Sequence, residues 1–142
     1  DYFCRAWLHD LWILLERPEE GNVVANEFKL FPPKEDLVRV YSNLFNSGDG
    51  IDIVAIDKIT QQLLQLQEYF ETKNEHQIRG SSIFIVVDSK KKHAEVRLID
   101  LGSFRPLSEC EDAVSGERDP GMTLGIKNVL VMLNQIKTQN SQ

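Results

Sequence analysis

An α+β fold, with helices packed around a small antiparallel hairpin, is predicted by three features of this 142-residue chain. Apolar residues recur at helical spacing in several long segments. Two strand-like runs, Ile83-Phe84-Ile85-Val86-Val87 and Ala94-Glu95-Val96-Arg97-Leu98-Ile99, are separated only by a short charged turn. The order is helices, then this strand pair, then a loop and a closing helix. Two strands alone are marginal in water, so helices or further strands must cover them.

Residues 2–16 read as a first helix, apolar around most of its circumference through Phe3, Ala6, Trp7, Leu11, Trp12 and Leu15. Such a helix needs cover on more than one side. A missing N-terminal lobe or partner chain is expected to dock against residues 2–15. Pro18-Glu19-Glu20-Gly21-Asn22 ends the helix. A short strand is expected within 23–31, closed by Pro32-Pro33, which cannot donate to a ladder. Leu37, Val38, Tyr41, Leu44 and Phe45 mark a helix over 35–45, and Asn46-Ser47-Gly48-Asp49-Gly50 is a turn.

A longer helix spans about 51–70. Ile53, Ile56, Ile59, Leu63, Leu66 and Phe70 form its core stripe, with Gln61, Gln62, Gln65, Gln67 and Glu68 mostly outside it. The polar stretch 71–79 connects it to Gly80-Ser81-Ser82. The apolar run that follows reads as a strand buried on both faces. The return strand closes the hairpin, an irregular acidic loop covers 105–116, and Asp119-Pro120 is an N-cap with proline at the first helical position. Ile126, Val129, Leu130, Leu133 and Ile136 carry that last helix.

A single domain of this length buries about two-thirds of the surface its unfolded chain exposes. Without an initiator Met, it is expected to be a piece of a longer protein. Net charge is −6, which argues against a nucleic-acid binder by bulk electrostatics. No apolar stretch approaches the roughly 20 residues of a transmembrane helix, and Asp1, Arg5, His9 and Asp10 spoil a signal peptide. Cys4 and Cys110 lack metal-ligand spacing, so reduced thiols in a cytosolic or nuclear setting are expected. His9 and His76 have no partner spacing for a metal or a base. Lys90-Lys91-Lys92-His93 reads as a solvated hairpin tip.

Asp100 is the informative residue. It ends the second strand and runs into Leu101-Gly102-Ser103. Strict alternation would place it on the apolar face of Ala94, Val96 and Leu98, which is expected to be buried. A carboxylate aimed into such a face needs a cation, a metal or hydrogen bonds. A strand-end Asp beside a glycine turn is also where ATP-using kinases place a magnesium ligand, although an Asp capping a turn gives the same pattern. An Asp100 facing bulk solvent, or locked onto an arginine with no room for a triphosphate, would collapse a phosphotransfer reading built on this residue.

Three pieces in order carry a resemblance: Gly80-Ser81-Ser82-Ile83-Phe84, Leu98-Ile99-Asp100-Leu101-Gly102 and Gly121-Met122-Thr123-Leu124-Gly125-Ile126-Lys127-Asn128-Val129-Leu130. Together with the preceding helix ending in Leu66-Gln67-Glu68-Tyr69-Phe70, residues 35–137 resemble the C-terminal lobe of the two-lobed inositol polyphosphate kinase family. Residues 1–34 remain of uncertain assignment. The resemblance implies ATP- and magnesium-dependent phosphoryl transfer to an inositol polyphosphate. It places Asp100 on the metal-binding Asp, and Ser81 or Ser82 on the motif serines beside the nucleotide. Gly125 would serve close helix packing.

Some family features are absent. Pro32 and Asp36 have the first spacing of the family's Pro-x-x-x-Asp-x-Lys-x-Gly signature, but Val38 and Val40 replace its lysine and glycine. No counterpart of the ATP-binding N-terminal lobe is present. Leu101, Ser103 and Phe104 replace the residues expected after the metal Asp, and Pro120 replaces an Asp. The resemblance thus implies the metal-binding half of a kinase, inactive in isolation. The alternative, favoured by the hydrophobic first helix and by the altered Leu101, Ser103 and Phe104, is a catalytically degenerate module with a structural or protein-interaction role.

Overall fold

The computed structural model describes residues 14–17, 22–25, 34–88, 90–110 and 118–141. In chain order the elements are β1 (Leu14–Arg17), β2 (Asn22–Ala25), α1 (Lys34–Leu44), α2 (Ile53–Thr72), β3 (His76–Arg79), β4 (Ser82–Asp88), β5 (His93–Ile99), β6 (Ser103–Pro106), a 3-10 turn (Leu107–Glu109) and α3 (Pro120–Asn140). This is the expected α+β arrangement, with three small antiparallel pairs: β1–β2, β3–β6 and β4–β5.

The first expected helix does not reach residue 16, because Leu14–Arg17 is a strand paired with Asn22–Ala25. Proline at 18 pushes the preceding residue toward extended backbone, and Val23-Val24 favour the partner strand. Of the strand expected within 23–31, Val23–Ala25 is strand, and residues 26–31 lie outside the described residues. The remainder of that helix, with Cys4 and His9, lies outside the described residues.

The core forms where the three helices meet. Phe45, Ile59, Leu63, Met122, Ile126, Leu133 and Ile136 are fully buried, and Phe70 and Ile56 nearly so. They come from the stripes the helical period marks, so α2 packs on α3 and β5 while α1 packs on α3. Burying one such Leu or Ile side chain contributes about 1.5–3 kcal/mol. Asp52 caps α2 by accepting from the Ala55 amide at 2.9 Å, and Gly125 is buried within α3.

The strand expected to be buried on both faces is only partly covered along its whole length. In a two-stranded ribbon one face meets the helices. Ile83, Ile85 and Val87 pack there, together with Val96 and Leu98 of β5. Gln62, read as lying outside the α2 stripe, instead seals the outer edge of β5. Its Nε2 donates to the Ala94 carbonyl at 3.1 Å, and its Oε1 accepts from the Val96 amide at 2.8 Å. One side chain thereby supplies the pairing a third strand would give.

The polar connector 71–79 contains a strand, and the irregular loop begins with another. His76–Arg79 pairs with Ser103–Pro106, although neither has an apolar alternation that would mark it. Buried side chains hold this pair in place: Asn74 bonds both the His76 carbonyl and the His76 amide, and Arg118 donates to the Asn74 carbonyl at 2.8 Å.

Candidate functional site

The pairs β3–β6 and β4–β5 are two halves of one ribbon, interrupted by a kink. Arg79 pairs with Ser103 and Ser82 pairs with Ile99. Between these rungs lie Gly80 and Ser81 on one side, and Asp100, Leu101 and Gly102 on the other. Two residues opposite three is a bulge-type offset, which bends a ribbon and re-aims its side chains. Gly80 at φ 72° and Asp100 at φ 61° absorb the bend in the left-handed region. Aspartate tolerates that region better than most non-glycine residues, yet still at some strain.

The kink overturns the expected burial of Asp100. Ala94 is buried and Val96 and Leu98 are half-buried, as alternation requires, but Asp100 has left the strand and is exposed. The low-dielectric argument for a cation therefore does not hold, and with it falls the phosphotransfer reading drawn from the burial of Asp100, which is left to rest on the family resemblance alone. Among the described residues, no hydrogen bond or ion pair engages its carboxylate. Ser81, directly across the kink, is buried, and its Oγ has no hydrogen-bond partner. An unpaired buried hydroxyl costs on the order of 1–3 kcal/mol. Ser82, the first paired residue of β4, is half-buried. The structure thus brings Ser81, Ser82 and Asp100 to one end of the hairpin, with Ile99, Leu101 and Phe104 at 43%, 47% and 58% exposure around them.

Asp119 is the carboxylate that burial does govern. It is 2% exposed at the start of α3. Oδ1 accepts from the Met122 amide at 3.1 Å, and Oδ2 accepts from the Ile78 amide at 2.9 Å. Burial pushes its pKa above the usual carboxylate value, and the two amides with the nearby Arg79 charge partly oppose that. The cap was legible in Asp119-Pro120, but the tie to β3 was not. Gln77, also buried, accepts from the Arg79 guanidinium at 3.0 and 3.2 Å. His76 is exposed and stacks edge-on with Phe104. No group of three or more His, Cys, Asp or Glu able to hold a metal is found among the described residues.

The inositol polyphosphate kinase family model matches residues 19–134, most of the chain. The chain belongs to the inositol polyphosphate kinase family. Human inositol-trisphosphate 3-kinase B is 25% identical over 126 residues, 83% of this chain. Those residues are only 13% of that protein's length. The three motif segments lie inside the matched region, and the structure gathers two of them, around Ser81-Ser82 and Asp100, at the ribbon kink.

Proposed function

We propose that this chain supplies the metal-binding half of an inositol polyphosphate kinase, with residues 35–137 as its C-terminal lobe and the ribbon kink as its nucleotide end. The observation that carries this reading is the family match over the ribbon kink, where the open Asp100 lies in the segment across from Ser81 and Ser82. Magnesium fits that donor set, because it is commonly held by one or two carboxylates with phosphate and water oxygens completing its shell. When bound, it would neutralise charge on the β- and γ-phosphates during transfer.

In this reading each residue has a separate task. Asp100 presents a hard oxygen ligand, fixed in direction by the kinked backbone. The Ser81 hydroxyl, buried and unpartnered, would have to turn outward to donate to a phosphate oxygen or to the Asp100 carboxylate. Ser82 starts the strand that keeps the two opposite each other. The exposed Ile99, Leu101 and Phe104 form an apolar surface that either a second lobe closing over nucleotide or a protein partner would cover.

The catalytic and substrate groups absent here would come from sequence outside this chain. The isolated 142-residue chain is therefore expected to show no turnover of ATP with any inositol polyphosphate. In the full-length kinase carrying this segment, Asp100→Asn should lower kcat at least about 100-fold. Full activity in that variant would remove Asp100 from the reaction. Absence of nucleotide binding in the unmodified full-length protein would favour the degenerate interaction module.

A further inference from the structure

We propose that the tip of the β4–β5 hairpin is a docking surface for an anionic lipid bilayer. Lys90, Lys91 and Lys92 form the turn and all are exposed. The fold adds Lys58 of α2, distant in sequence, whose Nζ donates to the Lys92 carbonyl at 2.9 Å. Two aspartates stand beside these groups. Asp88 reaches Lys91 at 3.7 Å, and Asp57 is engaged by Lys137 at 2.6 Å. Glu95, on the outward face of β5, is held by Arg97 and faces His93. Among the described residues, Lys58, Lys90, Lys91, Lys92, Lys137 and Arg97 stand against Asp57, Asp88 and Glu95 at this end, an excess of cations in a chain of net charge −6.

Two further observations point to a membrane in preference to a solvated tip. Lys92 has φ 52°, a conformation glycine adopts with less strain, so a charge is carried where backbone preference opposes it. Val54 lies one helical turn before Lys58 on the same face of α2 and is 63% exposed, an apolar group beside the lysines. The lysines sit on a protruding turn, which suits an extended anionic surface. A small polyphosphate is held instead by donors converging in a cleft. The hairpin separates this tip from Asp100 by about 20 Å, at roughly 3.3 Å per residue. Docking would leave the kink accessible, and it does not depend on the kinase reading.

Vesicle co-sedimentation of the 142-residue chain tests the proposal. Binding is expected to vesicles of phosphatidylcholine with phosphatidylserine, not to phosphatidylcholine alone, and it should fall steeply with added salt. Lys91→Glu with Lys92→Glu should weaken it by about tenfold or more. Lys92→Gly suits the turn backbone, so weaker binding with unchanged circular dichroism would not reflect unfolding. Lys73→Glu with Lys127→Glu makes the same charge change elsewhere and should leave binding unchanged. The proposal is overturned by absence of anionic-vesicle binding at low salt, or by equal loss in that control. Displacement by stoichiometric tripolyphosphate would also overturn it, assigning the lysines to a soluble phosphate.

Discussion

Two aspartates close to one ribbon behave in opposite ways. Asp119 is enclosed and spends both oxygens on backbone amides of different elements, whereas Asp100 is open and engages none of the described residues. Asp119→Ala should destabilise the fold by about 1–3 kcal/mol, since it removes a cap and strands the Ile78 amide. Chemical denaturation measures this. The sign of its pH dependence follows from a folded-state pKa raised by burial. A raised value contributes stability that is complete below the unfolded pKa and lost as pH rises through the folded one. The stability of wild type relative to Asp119→Asn should therefore decline as pH climbs through that window. A rising difference would contradict the account. Asp100→Asn should behave differently: asparagine suits φ 61° at least as well as aspartate, so its midpoint of unfolding should not fall.

At the scale of elements, the sequence spoke clearly wherever one helix face was dry. The stripes through Ile56, Ile59 and Leu63 and through Ile126, Leu133 and Ile136 are the core, because a 3.6-residue period has only one way to bury them. The β4–β5 hairpin was equally legible from its β-branched runs and charged turn. What escaped notice is held by polar side chains. Nothing in His76-Gln77-Ile78-Arg79 announces a strand, because its partner is fixed by Asn74 and Asp119 rather than by apolar alternation. The kink escaped for a related reason: a register offset belongs to two distant segments at once, so alternation along one strand placed Asp100 on the wrong side. Gln62 looked like surface by helical phase, yet it closes a sheet edge. Gln62→Ala should cost about 1–3 kcal/mol, and hydrogen exchange should accelerate at the Val96 amide before the core helices loosen. Unchanged exchange at Val96 would show that the edge is sealed by something else.

Across the described residues, a helical core carries a bent ribbon whose tip and kink are chemically distinct. The hairpin tip bears lysines, and the kink between its two halves bears the open Asp100 carboxylate. The rigid part is built from α1, α2 and α3. The ribbon is attached to it through one apolar face, the Gln62 clamp and the Asp119 tie. This arrangement sets the backbone at Asp100 without burying its carboxylate. The most direct measurement is calorimetric titration of ATP into the full-length protein carrying this segment, with and without magnesium, for wild type and Asp100→Asn. Magnesium should tighten ATP binding in wild type and have little effect in the variant. Equal magnesium-dependent affinity in both proteins would contradict the central role given to Asp100.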